Sequence, residues 1–156
     1  MTDVDRAAEQ LAEVYVLVGP LYRRVLREVE EAEPDNRMSA GVRAVLDQLR
    51  RHGPMTVPEI GRSQSLSRQF VQRMVDDALA AGLVERTENP RHRRSKLVVA
   101  TAAGRAVIDD VVGREHARLR AVAARLRPGD VDATLRVLAA MVADLAEIEP
   151  GIGPEH

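Results

Sequence analysis

The chain has 156 residues, of which 45% are hydrophobic and 30% charged, and its formal net charge is −1. This size predicts one domain, or two small ones that share a core, with the composition of an ordinary globular protein. The absence of cysteine excludes disulfide bonds, thiol redox sensing and cysteine-rich zinc sites. No apolar run approaches the roughly 20 residues of a membrane span, and the polar, acidic N-terminus does not resemble a secretory signal, so we expect a cytoplasmic protein with no membrane partner.

The charge is unevenly distributed along the chain. Residues 62–105 carry nine basic against four acidic side chains, whereas residues 1–61 carry eight against eleven and residues 106–156 six against nine. A basic centre between acidic flanks indicates a localised anionic partner. The alternative for a charge run taken alone is a solvated basic loop.

The first predicted element is a long helix. Apolar residues recur at spacings of three and four from Val4 to Val29, which is the pattern of a helix that packs against other helices. Pro20 cannot donate to the carbonyl of Val16, so we expect a kink or a local break there. Pro34 and the residue after it should end the helix.

Three short helices follow, each with a predicted cap. Their N-caps are Ser39, Thr56 and Ser67. Gly53, followed by proline, should end the first of them, and Glu59 completes a capping box with Thr56 in the second. The third should run to Gly82, a typical C-terminal glycine.

The hydrophobic period then changes to that of strands. Leu83–Thr87 and Lys96–Thr101 are predicted to pair as a hairpin, with the charged stretch Glu88–Ser95 as its long loop. The basic residues of this loop are Arg91, Arg93 and Arg94, with His92 among them, and Lys96 begins the second strand.

Two more helices complete the predicted order. Thr101 should cap a fifth helix whose apolar side extends to Leu126, and a sixth should carry an apolar stripe from Val131 to Ile148. The outer helices hold more apolar surface than three thin helices of one chain can easily bury. A helical homodimer would cover it, and a compact monomeric bundle is the alternative.

The fourth helix has two distinct faces at 100° per residue. Its apolar half consists of Phe70, Val71, Met74, Val75, Ala78 and Leu79. Its polar half consists of Arg68, Gln69, Gln72 and Arg73, followed by Asp76 and Asp77. Arginine and glutamine pair bidentately with guanine and adenine edges in a major groove, whereas the acids would repel phosphates, so only the first half should enter a groove. Ser67 and the free N–H groups at the helix start suit a phosphate.

The third helix, the turn at residues 64–66 and the fourth helix form a helix-turn-helix whose second helix would read DNA. Together with the hairpin, the sequence resembles the MarR family of winged-helix transcriptional regulators. The resemblance covers Ser39–Gly104. It includes the Gly-Leu-Val-x-Arg step at residues 82–86, and the family's wing pattern Asp-x-Arg and Leu-Thr-x-x-Gly corresponds to residues 92–94 and 100–104. Two positions depart from the family: His92 stands where an aspartate is usual, and Ala100 where leucine is usual.

This resemblance implies a mostly α fold with a small β-hairpin, in which a winged helix-turn-helix DNA-binding lobe joins helical dimerisation arms. It also implies a homodimer whose recognition helices enter major grooves about 34–36 Å apart on a palindromic double-stranded DNA operator. The implied domains are an N-terminal dimerisation helix (1–36), the DNA-binding lobe (37–104), C-terminal dimerisation helices (105–149) and a flexible tail (150–156).

The expected function is therefore that of a sequence-specific transcriptional regulator, a repressor that responds to a small aromatic or anionic effector. The predicted DNA-binding residues are Ser67, Arg68, Gln69, Gln72, Arg73, Arg91, Arg93 and Arg94. Within the wing, Arg93 and Arg94 are the best candidates for the minor groove or backbone. The residues predicted to line an effector pocket, with core packing or solvated surface as the alternative, are Tyr15, Tyr22, Met38, Arg43 and His52.

His92 carries a further expectation. In the family, the aspartate typically pairs with arginine and helps to hold the wing, a role that a neutral or cationic histidine cannot take. The predicted wing is looser, more basic or sensitive to pH near neutrality. We expect His92→Asp to alter wing order more than fold stability.

Other classes of function have less support. The four histidines show no metal-ligand spacing, and there is no phosphate-binding glycine loop or nucleophile elbow, so we expect no enzyme, no metal and no cofactor. The remaining alternative is a winged-helix protein-interaction module or adaptor with little DNA reading.

Overall fold

The computed structural model describes residues 2–32 and 38–146. Its elements are α1 (Asp3–Ala32), α2 (Ala40–His52), α3 (Val57–Gln64), α4 (Arg68–Ala80), β1 (Val84–Glu88), β2 (Lys96–Ala100), α5 (Ala102–Ala123) and α6 (Asp130–Ala146). The order of six helices and one hairpin confirms the predicted fold class. The chain forms two compact units, Met1–Asp109 and Asp110–His156. The predicted division into four domains stays a prediction.

The short helices begin at the three predicted caps. Ser39 Oγ accepts the N–H of Val42 at 3.2 Å, and Ser67 Oγ accepts that of Phe70 at 3.2 Å. In α3 the capping box is complete: Thr56 donates its N–H to the Glu59 carboxylate at 2.7 Å, and Thr56 Oγ1 accepts the Glu59 N–H at 3.4 Å. These side chains satisfy N–H groups that the first turn of a helix leaves without partners.

The Glu59 carboxylate makes this cap depend on pH. The N–H and the hydroxyl of Thr56 hold the pKa of the Glu59 carboxyl below its usual value, and the charges of Arg62 and Arg91 lower it further. Stability from a lowered carboxyl pKa is present above the unfolded-state value and is lost as pH falls through the folded-state value. We expect Glu59→Gln to be less stable than the parent at neutral pH and equal to it at strongly acidic pH. Urea unfolding of both proteins across this pH range checks the expectation. A difference in unfolding free energy that stays constant with pH would contradict it.

The hairpin is antiparallel, and a single residue outside it pairs with its second strand. β1 and β2 pair in the register Val84↔Ala100 through Glu88↔Lys96. Met55, just before α3, forms a bridge with Val98, whose N–H donates to the Met55 carbonyl at 2.7 Å. The hairpin is therefore attached by its backbone to the start of α3, a link that the sequence did not predict.

The core of the first unit lies among α2, α3, α4 and the hairpin. Its fully buried side chains include Val45, Leu46, Ile60, Val71, Val75 and Val98. On α4 the buried residues are Val71, Met74, Val75 and Ala78, so most of the predicted apolar half is confirmed. α4 is thereby fixed with its polar half outward.

A tight joint connects the end of α4, the approach to β1 and the start of α5. Gly82 has a φ of +70°, and the next N–H, from Leu83, donates to the Ala78 carbonyl at 3.0 Å, which closes α4 with a glycine C-cap as predicted. The Leu83 carbonyl then accepts the N–H of Thr101 at 3.0 Å. Thr101 Oγ1 accepts the N–H of Gly104 at 3.0 Å, so the predicted cap of α5 also holds the hairpin ends together.

The outer helices differ from the prediction in two details. α1 runs without interruption through Pro20, so the local break does not occur there, and the alternative of a kink stays a prediction. α5 ends at Ala123 rather than near Leu126. The residues after it form hydrogen bonds between positions three apart, such as that from the Leu126 N–H to the Ala123 carbonyl, instead of the four of an α-helix. The predicted stop at Pro34, the residue Ile148 that ends the predicted apolar stripe of the sixth helix, and the predicted tail lie outside the described residues.

Candidate nucleic-acid interface

The polar half of α4 faces solvent. Arg68, Gln69 and Arg73 are exposed, and Gln72 is half-buried. Within residues 2–32 and 38–146, the side chains of Arg68 and Gln69 make no hydrogen bond or ion pair. The structure thus brings these four predicted residues onto one accessible helix face, where two of the side chains are free to bind.

The acidic end of the same face is partly neutralised by β1. Asp76 Oδ1 accepts a hydrogen bond from Gln72 Nε2 at 2.8 Å and another from Arg86 at 3.0 Å. Arg86 lies in β1, so this contact also links α4 to the hairpin. Of the two acids in the second half of α4, Asp76 is therefore paired with a cation, which reduces its repulsion of phosphates.

Phe70 corrects one prediction. The helical pattern placed it in the apolar half of α4, but its side chain is 45% exposed. The Arg73 guanidinium lies over its ring, 5.4 Å from the centroid. The Phe70 ring attracts the Arg73 guanidinium by a cation–π contact. Phe70 therefore supports a side chain of the polar half of α4 instead of packing in the core.

Ser67 lies at the N-terminus of α4, as expected. Its Oγ already accepts the Phe70 N–H, which leaves its hydroxyl hydrogen available as a donor. The positive end of the α4 dipole lies at this residue and favours an anion there. This geometry is consistent with the predicted phosphate contact.

The loop between β1 and β2 carries the predicted wing cations. Arg91, Arg93 and Arg94 are all exposed, and in the described part of the chain none of their guanidinium groups forms an ion pair or a hydrogen bond. The neighbouring Lys96 differs, because its ammonium is paired with the Glu88 carboxylate across the strands. The guanidinium groups of these three arginines are therefore exposed and unpaired, with the charge of Arg91 also acting on the Glu59 carboxylate, whereas the lysine is paired within the hairpin.

A cleft of about 840 Å³ separates the wing loop from α3. Its walls include His52 at the end of α2, Arg62 on α3, and Arg91 and His92 on the wing. The only acid in its lining is Glu59, which caps α3. The cleft thus holds two arginines against one acid and lies beside the wing.

The predicted effector residues are distributed over different surroundings. Tyr15 and Tyr22 are exposed on α1, whereas Met38 is 1% exposed and belongs to the core. Arg43 is largely buried and pairs with Asp47 one turn later. His52 lines the cleft beside the wing, which contains none of the other four. The effector pocket stays a prediction, and His52 is the one of the five residues that lines this cleft.

Sequence reasoning missed two further residues of this surface. Asn89 is 6% exposed, the only buried polar residue of the described core, and it lies at the base of the wing loop. Arg86 was noted only as part of a motif, and its contact with Asp76 joins residues ten positions apart. An asparagine before a proline in a charged loop was the available signal for Asn89, because such residues commonly bond to their own backbone.

No cluster of three or more histidine or acidic side chains suited to a metal ion occurs among residues 2–32 and 38–146. Over the same ranges, no helix has the length and apolar character needed to cross a membrane.

Known proteins match both the interface and the whole chain. The sequence profile of the MarR family matches residues 38–95, which span α2, α3, α4, β1 and the wing loop. The uncharacterized protein Rv2011c of Mycobacterium tuberculosis is 31% identical over 146 residues, which cover 94% of this chain and 99% of the relative. The chain belongs to the MarR family.

Solved structures extend the likeness to the complete fold. A MarR family transcription regulator designated SP03579 is 28% identical, with a TM-score of 0.74 over 94% of this chain and 99% of that one. BpsR of Bordetella bronchiseptica is 23% identical, with a TM-score of 0.65 over 83% of this chain and 98% of that one, and shares the fold. This MarR family chain therefore has the fold of a MarR family transcription regulator.

Proposed function

We propose that this MarR family protein is a sequence-specific DNA-binding regulator that acts as a homodimer on a palindromic operator, as a repressor and not as an enzyme. The observation that carries the proposal is the exposed Arg/Gln face of α4 beside a wing with three unpaired arginines. A helix with free bidentate donors suits the major groove, and a cationic hairpin suits the minor groove or the backbone.

The proposed contacts divide into two kinds. Arg68, Gln69, Gln72 and Arg73 read base edges, and Ser67 binds a phosphate at the start of α4. Arg91, Arg93 and Arg94 bind the backbone or the minor groove and carry little information about sequence. The division follows from their elements, because α4 has the width that a major groove admits and the wing is a narrow loop.

The homodimer is supported by apolar side chains that a single chain leaves exposed. On α1, Leu11, Tyr15, Val18 and Tyr22 are between 39% and 62% exposed. On α6, the exposed residues Val131, Leu135, Val142 and Leu145 follow one stripe. Exposed apolar stripes of this extent mark association surfaces, and a second copy is the partner that the proposal assigns to them.

The proposal also includes a small-molecule effector. The DNA binding of BpsR is described as regulated by 6-hydroxynicotinic acid. This compound is a small aromatic acid, the class expected for the effector of this chain. We propose a ligand of that class, and Tyr15, Tyr22, Met38, Arg43 and His52 remain the candidate lining to test by substitution.

A salt titration tests the DNA-binding proposal. The full-length protein is titrated onto the DNA upstream of its own gene, and onto scrambled DNA, at several salt concentrations. We expect log affinity to fall linearly with log salt, by about 0.9 per phosphate contacted, and the upstream DNA to bind more tightly. Equal and salt-independent weak binding to both would favour the protein-interaction module instead.

Sedimentation tests the dimer. Leu135→Glu places a charge in the exposed stripe of α6, and we expect it to halve the sedimenting mass. Ala140→Glu, on the opposite side of the same helix, is the matched control and should leave the mass unchanged. A parent protein that sediments as a monomer would overturn the dimer.

Phe70 gives a prediction about the reading face. Without its ring, Arg73 loses a cation–π contact worth about 0.5–1 kcal/mol at an exposed site, and its guanidinium becomes less ordered. We expect Phe70→Ala to weaken binding to the preferred DNA about two- to fivefold, with little change in unfolding temperature. Phe70→Tyr, which keeps the aromatic face, should bind as the parent does. Loss of affinity in both variants would indicate a steric role for Phe70 instead.

A further inference from the structure

The wing loop is built from two successive turns. The His92 N–H donates to the Asn89 carbonyl at 3.2 Å, and the Ser95 N–H donates to the His92 carbonyl at 3.0 Å. The backbone of His92 thus serves both turns, while its side chain is exposed. Whatever side chain occupies position 92, these two bonds can form.

The side chain of Asn89 ties the two turns together. Its Oδ1 accepts the N–H of Arg91 at 3.0 Å, and its Nδ2 donates to Ser95 Oγ at 2.9 Å. Ser95 Oγ in turn donates to the His92 carbonyl at 3.2 Å. An asparagine amide suits both bonds, because it carries an acceptor and a donor on one planar group.

Packing does not explain the shape of this loop. The residues from Pro90 to Arg94 are all exposed, and the cleft of about 840 Å³ lies between the loop and α3. Only Asn89, 6% exposed, and half-buried Ser95 reach inward. The internal hydrogen bonds are what remains to fix the conformation of the loop.

We propose that Asn89 is a positioning residue of the wing: with Ser95 it forms a neutral clamp that holds Arg91, Arg93 and Arg94 in the arrangement presented to DNA. The clamp is made of uncharged groups, and it consumes no arginine. All three guanidinium groups therefore remain available for phosphates. This assignment rests on the proposed DNA-binding function, but the clamp itself can be measured without DNA.

Amide hydrogen exchange tests the clamp in the free protein. The parent should protect the N–H groups of Arg91, His92 and Ser95, and Asn89→Ala and Ser95→Ala should each abolish most of that protection. His92→Ala is the matched control and should retain it, because only the backbone of His92 takes part. Equal protection in parent and Asn89→Ala, or equal loss in His92→Ala, would overturn the clamp whether or not the protein binds DNA.

DNA affinity tests the positioning role. We expect Asn89→Ala to weaken binding on the order of tenfold, similarly for preferred and altered base sequences, and to lower the unfolding temperature only slightly. In a background that carries Arg91→Ala, Arg93→Ala and Arg94→Ala, the same substitution should have no effect, since no wing cation is left to position. A tenfold loss in that background as well would show that Asn89 supports the lobe in general and would reject the positioning role.

These measurements separate the two proposals. If the parent binds no DNA, but the Asn89→Ala variant has lost the amide protection seen in the parent, the clamp is supported and the proposed DNA-binding function fails. If it binds DNA and Asn89→Ala changes neither protection nor affinity, the function stands and the positioning role is rejected.

Discussion

Gly104→Ala is expected to destabilise the DNA-binding lobe severely, by about 3 kcal/mol, the upper range for overpacking a tight site. A Cβ at this position would lie 1.9 Å from the Leu83 carbonyl oxygen and 2.9 Å from its carbon. Backbone cannot move aside as a flexible side chain does. The same carbonyl accepts the N–H of Thr101, so any shift also breaks the joint between the hairpin and α5.

The same substitution at Gly113 is the matched control. Gly113 lies on the same helix, and a Cβ there has nothing within 4 Å in the described structure. Alanine in a helix interior is favoured over glycine by about 1 kcal/mol, so Gly113→Ala should be slightly more stable than the parent. Urea unfolding of the three proteins measures both effects. If Gly104→Ala unfolds at the parent's midpoint, the close approach of Leu83 to α5 is wrong.

Arg68→Ala and Arg73→Ala are expected to cost about 1–3 kcal/mol each at particular base pairs, or roughly 5- to 150-fold in affinity. The loss should disappear on DNA in which the base pair read by that arginine has already been changed. Binding to a panel of single-base variants of the preferred site, found by selection from random DNA, measures this.

Wing substitutions serve as the comparison for these two variants. Arg93→Ala and Arg94→Ala should weaken all sequences alike and lower the salt slope by about one each, or change the preference for A·T pairs in the minor groove. If the α4 and wing variants weaken every sequence equally, α4 does not read bases. If none of the four affects binding, the DNA-binding proposal fails.

The sequence predicted best what depends on neighbouring residues. Ser39, Thr56 with Glu59, and Ser67 cap helices through residues three positions away, so a short stretch of sequence is enough to identify them. Gly82 was predicted for the same reason, since its positive φ closes the helix that immediately precedes it. The order of helices and hairpin followed from these local signals together with the hydrophobic period.

Contacts between distant residues were beyond that reasoning. The bridge of Met55 to Val98 joins positions 43 apart and leaves no periodic trace. Phe70 lies at the border of the two faces of α4, where the helical angle alone does not decide between core and solvent. His52 was grouped with the α1 tyrosines as a candidate for the effector pocket, and only the fold reveals that it lines the cleft beside the wing.

The clamp that Asn89 and Ser95 form in the wing loop has a kinetic consequence. All of its hydrogen bonds join residues at most six positions apart, between Asn89 and Ser95. Loops of about ten residues close in roughly 10–100 ns, far faster than a regulator dissociates from DNA. If the wing binds phosphates as proposed, a loop that opens on DNA would therefore re-form before dissociation, and the wing would release and regain a phosphate many times within one encounter.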